Sequence, residues 1–367
     1  MTKIQETTLE ISLGALQNNI TFLRSKIRPT TKFMAVVKAY AYGSDAQQVA
    51  LFLEKQQVDY FAVAYTDEGI ALRNAGVTKP ILVLHPLPVH FHEIIAYKLE
   101  PSLYNKYVFD AFLEASKNET NYPVHLKFNT GLNRLGFTAE EIPELLSALE
   151  KHSNLQVASV FSHLGASEDL NEKTFTLQQI KDFKEVSAQL NSKLSYKPLF
   201  HILNTSGILN YAEEAQFDMV RSGIGLYGFG NDPQYNHHFK NVVSLKSVIS
   251  QIHHIQPNQS IGYNKGHIAK TAMKTATIPL GHADGISRQY GKGKAFLTVN
   301  GKQCPIVGNV CMDMLMIDIT GVDCHEGDEV LIFGTQPTAS AFASTAGTIS
   351  YELLTAISQR VRRKVVS

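Results

Sequence analysis

The stretch FMAVVKAYAYGSDA, residues 33–46, ends an apolar run on an amine and continues through two tyrosines and a glycine. Desolvating an ammonium without a partner costs several kcal/mol. Lys38 at the tip of a buried strand therefore either snorkels out to water or is there for its chemistry. In a partly apolar pocket a lysine loses proton affinity and can form a Schiff base with an aldehyde. Pyridoxal phosphate is the aldehyde that the rest of the chain could accommodate. Its phosphate needs backbone N–H donors, which Ser222, Gly223 and Ile224 could offer, and hydroxyls, which Tyr42, Thr205 and Ser206 could offer. Arg221 follows the apolar pair Met219–Val220, where a guanidinium is costly unless paired. It could face the cofactor's ring nitrogen and keep it unprotonated, because a permanently charged donor opposes a second positive charge beside it. It could equally form an Arg–Asp pair inside the fold.

The elements that must position these groups read as alternating units. Short apolar runs at 33–37, 60–65, 81–85, 101–104, 124–128, 157–164, 198–203 and 219–224 look like buried strands. Segments of helical spacing such as AQQVALFLEK, YVFDAFLEASK and TLQQIKDFKEVSAQL lie between them. Eight such units predict a (β/α)8 barrel. After about residue 241 the texture becomes alternating or β-branched, joined by turn signals at Asn300–Gly301 and 326–328, which predicts a mostly β C-terminal domain. The last stretch, SYELLTAISQRVRR, reads as helical. The polar run GNDPQYNHH at 230–238 suggests a boundary, giving a barrel over 1–238 and a β domain over 239–367. In such a barrel the chemistry sits at the C-terminal ends of the strands. That rule selects Lys38 on the first strand, Tyr65 on the second, and Lys127 and Asn129 on the fifth with Arg134 beyond. His163 follows on the sixth, Thr205 and Ser206 on the seventh, and Arg221, Gly223 and Ile224 on the eighth.

With 44% hydrophobic and 18% charged residues among 367, the composition is that of a globular chain. The 34 basic side chains are balanced by 33 acidic ones, so nothing points to nucleic acid or an anionic membrane. The N-terminus lacks an uninterrupted apolar segment, and no run approaches the ~18 apolar residues that span a bilayer, which favours the cytoplasm. The three cysteines, Cys304, Cys311 and Cys324, are then expected to be reduced thiols. Gly223, Gly225 and Gly228 spell GxGxxG, but a loop rather than a helix follows and Val248 stands where a dinucleotide site needs an acid. His237–His238 and His253–His254 are adjacent pairs without metal-ligand spacing, so no metal is expected.

The segment VVKAYAYGSDA resembles the cofactor-lysine segment of the alanine racemases, usually written close to V-V-K-A-N-A-Y-G-H-G. HLKFNTGLNRLGF (125–137), SHLGASED (162–169), VRSGIGLYG (220–228), IGYNKG, IPLGHADG and IVGNVCMDM resemble further segments of that family, in its order, across essentially the whole chain. The resemblance implies a homodimeric pyridoxal-phosphate enzyme that interconverts L-alanine and D-alanine and supplies D-alanine for peptidoglycan. It implies two bases on opposite faces: Lys38 on the D-alanine side and Tyr263, reaching in from the partner subunit, on the L-alanine side. A free phenol has a pKa of about 10 and needs help to ionise; the resemblance puts His163 beside it and Arg221 behind that histidine. It gives Arg134 to the substrate carboxylate or to the cofactor's phenolic oxygen, and the backbone N–H of Met312, from the other subunit, to the carboxylate, with Asp313 nearby. Lys127, in the family often carbamylated, would fix Arg134. His282 stands where a tyrosine usually lines the access path. Further departures are Tyr40 for Asn, Asn129 for Asp, Leu132 for Met and Gln359 for Tyr. The rivals are a broader-specificity racemase, a decarboxylase of the same architecture, and a non-enzymatic pyridoxal-phosphate carrier, which would lack the domain bearing Tyr263.

Overall fold

The computed structural model describes residues 5–232 and 234–366; Pro233, within the expected boundary stretch, and the first four residues lie outside it. The chain divides into two compact units. One comprises Ala15–Ala41 and Ala46–Lys240; the other comprises the residues up to Gly14, Tyr42–Asp45 and everything from Asn241 onward. The first strand, β1 (Thr8–Ser12), belongs to the second unit.

The larger unit is the barrel. Its strands are β2 (Lys32–Val36), β3 (Tyr60–Val63), β4 (Ile81–Val83), β5 (Glu100–Leu103), β6 (Tyr122–Lys127), β7 (Leu155–Phe161), β8 (Leu199–His201) and β9 (Met219–Ser222). They are parallel, in the order β8-β7-β6-β5-β4-β3-β2-β9. The ring closes through Asp218 N–H to the Phe200 carbonyl at 3.1 Å and Arg221 N–H to the Leu203 carbonyl at 3.0 Å. All eight strands fall on the apolar runs of the sequence. The helices between them bury one stripe each: Lys173–Lys193 hides Thr176, Gln179, Ile180, Phe183, Val186, Ser187 and Leu190, the i, i+3, i+4 spacing of a single face. Met34, Ala62, Leu82, Phe161 and Met219 fill the lumen as a packed layer. Because side chains alternate across a strand, Lys38, Lys127, His163 and Arg221 share the lumen-facing parity of Met34, His125, Phe161 and Met219.

The second unit is a nine-stranded sheet in the order β11-β14-β17-β16-β15-β18-β10-β1-β19. After β1 its members are β10 (Val243–Val248), β11 (Gln251–Ile255), β14 (Met273–Ile278), β15 (Phe296–Val299), β16 (Lys302–Val307), β17 (Leu315–Asp318), β18 (Glu329–Phe333) and β19 (Arg362–Val366). The short pair β12 (Ser260–Ile261) and β13 (His267–Ile268) stands apart from that sheet. Asn300 and Gly301, at φ of 46° and 78°, make the tight turn between β15 and β16 that Asn-Gly favours.

Two expectations are corrected here. A single cut after residue 238 does not describe the chain, because β1 pairs antiparallel with β10 and parallel with β19, tying the N-terminal strand into the β unit. The final stretch is not one helix: Ser350–Ala356 is helical, Ile357 turns extended, and Arg362–Val366 runs as a strand beside β1. Backbone pairing there outweighs the helical spacing of the side chains. Among the described residues no helix is long and apolar enough to cross a membrane.

Candidate active site

Lys38 lies one residue beyond β2, after Val37, and opens an unusual turn. Ala39, Tyr40, Ala41 and Tyr42 have φ between 52° and 55°, one turn of left-handed helix built from residues with side chains. Each such residue costs roughly 1–2 kcal/mol, so the turn exists only because its surroundings over-determine it. At its start, the Glu68 carboxylate accepts the N–H of Ala39 at 2.6 Å and of Ala64 at 2.7 Å, clamping the end of β2 to the end of β3. At its finish, Gly43 has φ of 79° and no room for a Cβ, which would lie 1.9 Å from the Leu354 carbonyl oxygen. Arg363 binds the Gly43 carbonyl there at 3.0 Å. Lys38 itself is half-buried rather than extended into solvent. Burial, and then the Arg134 charge, lower its proton affinity, against the pull of Glu68.

The groups sharing the lumen parity of Lys38 form a cluster dominated by positive charge. Lys127 is buried and its ammonium is pushed down to about 8 by desolvation, then by Arg134, Arg221 and Lys38. Arg221 is buried too, and the alternative of an Arg–Asp pair fails: among the described residues no carboxylate contacts it. It donates instead to the carbonyls of Ser162 at 2.7 Å, Ile202 at 3.2 Å and His201 at 3.3 Å. Its remaining partners are imidazoles, His201 Nδ1 at 2.5 Å and His163 Nδ1 at 3.3 Å. Desolvation opposes the charge of Arg221. His163 is held well below the ordinary histidine range by burial and by Arg221, and so is neutral and able to accept. Arg134 sits exposed on the loop after β6. Asn129 organises that loop: its amide oxygen accepts the N–H of Gly131 at 3.2 Å and of Asn133 at 2.9 Å. The carboxamide thus supplies the acceptor that an aspartate would, without its charge.

At the neighbouring strand ends the donors for a phosphate converge. Thr205 and Ser206 open the helix Thr205–Ala215, capped by Asn204, whose side chain takes the Gly207 N–H at 2.8 Å. Thr205 Oγ1 meets Ser222 Oγ at 2.9 Å and receives the Gly225 N–H at 3.2 Å. A Cβ on Gly225 would lie 2.5 Å from Thr205 Cγ2, so only glycine lets the β9 loop approach the helix. The N–H groups of Gly223 and Ile224 have no acceptor among the described hydrogen bonds, although both residues are buried. A helix N-terminus with free N–H groups and hydroxyls is an anion site. Tyr42, expected with this set, is grouped with the β unit and is buried with its ring 6.0 Å from that of Tyr351. Burial and Tyr351 raise its proton affinity, so it would act as a neutral donor.

In the β unit, Tyr263 is 74% exposed and lies at the rim of a shallow depression lined also by Ile255, Ile261, Met312, Met314 and Met316. Met312 is held by Gly281–Ala283. The Ala283 N–H binds its carbonyl at 3.0 Å, the His282 N–H binds that of Cys311 at 2.9 Å, and a Cβ on Gly281 would collide with both carbonyls. The Met312 N–H has no acceptor among the described hydrogen bonds. His282 is exposed on that turn. Asp313 is tied to Asp284 through Arg360, which reaches each carboxylate at 2.7 Å. The sequence reading missed Arg360, and also Glu68 and His201. Glu68 carried a signal, since a glutamate in the first turn of a helix reaches back to the N–H groups before it. His201 carried another, the lumen parity it shares with Leu199.

Two domain families match. The alanine racemase N-terminal domain covers residues 11–231, and the alanine racemase C-terminal domain covers residues 242–365. An alanine racemase from Thermodesulfovibrio yellowstonii is 38% identical over 97% of each chain. The alanine racemase of Clostridium difficile 630 superposes with a TM-score of 0.92 at 32% identity, over 100% of this chain and 97% of that one. One from Bacillus anthracis with bound L-Ala-P gives 0.92 at 29%, over 100% and 96%. The chain belongs to the alanine racemase family, isomerases that interconvert L-alanine and D-alanine.

Proposed function

We propose that this chain racemises alanine with pyridoxal phosphate held at the barrel mouth, in a homodimer whose two sites each draw Tyr263 from the partner subunit. One observation carries this reading: Lys38, an amine whose proton affinity is lowered by burial and by Arg134, shares the barrel mouth with a buried arginine, Arg221, that no carboxylate contacts among the described residues. The donor set fits the cofactor. Thr205, Ser206 and the N–H groups of Gly223 and Ile224 suit a phosphate, and the excess of cations suits its charge together with that of a substrate carboxylate. Bound there, pyridoxal phosphate would supply the sink for the electron pair left when the α-proton departs.

The chain's own groups do the rest. Arg221 would face the ring nitrogen of the bound cofactor and oppose its protonation, which would weaken the sink and favour proton return over decarboxylation or other losses. Lys38 Nζ takes or returns the α-proton on the D-alanine face, and Tyr263 Oη does so on the L-alanine face; each positioned base is typically worth 10² to 10⁴ in rate. The exposure of Tyr263 among Met312 and Met314, 59% and 50% exposed, supports an interface with a second copy. Arg134 and the Met312 N–H bind the substrate carboxylate, with Asp313 and Arg360 fixing the Met312 turn. Lys127 sits where a neutral amine could become a carbamate that orients Arg134. His282 lines the access path, and the enzyme works in the cytoplasm.

Chiral analysis after incubation with L-alanine, L-serine or L-lysine tests the proposal. D-alanine approaching an equimolar mixture is expected, with L-serine slower, since an apolar pocket rejects one added hydroxyl only weakly. Release of the carboxyl group as carbon dioxide, or tightly held cofactor with no turnover, would replace this reading by a decarboxylase or a carrier.

A further inference from the structure

A continuous line of buried polar side chains runs through the barrel lumen beneath Arg221. Arg221 Nη1 meets His201 Nδ1 at 2.5 Å, and His201 Nε2 meets Ser159 Oγ at 2.8 Å. Ser159 Oγ meets His125 Nδ1 at 2.6 Å, and His125 Nε2 meets Glu100 Oε2 at 2.7 Å. His125, Ser159 and His201 are wholly buried, and Glu100 and Arg221 nearly so. An irregularity in β7 before Ser159 is what sets that residue directly opposite His125. The ends fix every proton between them. Arg221 can only donate and an ionised Glu100 can only accept. His201 must therefore accept at Nδ1 and donate from Nε2, Ser159 must donate to His125 Nδ1, and His125 must donate from Nε2 to Glu100. All four donors point the same way, an arrangement in which each bond polarises the next. Glu100 also receives the Tyr60 phenol, and Tyr122 and Arg73 lie within its field. Arg73 gives four of its five N–H donors to the carbonyls of Val77, Lys79, Tyr97 and Lys98, and among the described hydrogen bonds it makes none to Glu100.

We infer that Glu100 is the counter-charge of Arg221, acting through His125, Ser159 and His201, and that these four are positioning residues for the arginine. A buried guanidinium without a carboxylate beside it is unstable; here the compensating charge sits at the other end of one hydrogen-bonded line. The inference rests on the reading that Arg221 faces the cofactor's ring.

Glu100→Gln tests it, because the amide keeps an acceptor for His125 and drops only the charge. In the holoenzyme, the ¹⁵N signals of the His201 ring are expected to move although residue 100 does not touch it. The visible band of the bound cofactor should shift, and kcat should fall roughly 3- to 30-fold, the range of coupling through intervening residues, with KM for alanine little changed. Ser159→Ala, which cuts the line midway, should reproduce these changes, and the double variant should be no worse than either single one. Unmoved His201 signals, or additive losses in the double variant, overturn the inference. Moved His201 signals with an unchanged cofactor band would leave the line standing and remove Arg221 from the ring.

Discussion

Lys38→Ala is expected to abolish racemisation, with kcat down by at least about 10³, and to leave no cofactor attached to the peptide after borohydride reduction. In the proposed mechanism the amine serves twice, as covalent anchor and as one of the two bases, so its loss would remove both contributions. Its readiness comes from position. Burial and the Arg134 charge favour the unprotonated amine, and only Glu68 opposes them. A lysine with lowered proton affinity holds a larger fraction of nucleophilic free amine at neutral pH than an ordinary one, which is almost wholly protonated. The left-handed turn after it is held by Glu68 at one end and by the Gly43 geometry at the other, so the variant keeps its scaffold. A small soluble amine should then restore part of the exchange. Undiminished reducible attachment in the variant would place the anchor elsewhere.

Tyr263→Phe should divide the reaction by face. Removing one hydroxyl leaves the ring to pack and takes away only the proton carrier. In deuterated water the α-proton exchange of L-alanine is expected to fall by about 10² or more, while that of D-alanine, served by Lys38, falls far less. A residue that merely shaped the pocket would depress both alike. Equal losses would therefore remove Tyr263 from its face-specific role.

The eight barrel strands were legible because parallel strands buried on both faces read as short apolar runs. That held for Glu100–Leu103, although it begins with a charged residue. The parity of Lys38 with Met34, and of Arg221 with Met219, was legible too, and it is what points these cations at the lumen. The placement of β1 was not, since its partners lie more than 200 residues away in β10 and β19 and nothing local in TLEIS names them. Nor was the closing strand, whose arginines and lysine suit a solvated helix face as well as a sheet edge. Glu68, Arg360 and the line from Glu100 to Arg221 depend on contacts between strands and loops far apart in sequence.

The central claim is that each site takes its amine from one chain and its phenol from another. Mixing Lys38→Ala chains with Tyr263→Ala chains, each nearly inactive alone, tests it directly. Once subunits have exchanged, a hybrid pair holds one site with both bases and one with neither, so about a quarter of wild-type activity is expected from a statistical mixture, half the dimers being hybrids with one working site of two. No recovery, with exchange verified by mass, would mean that both groups come from the same chain.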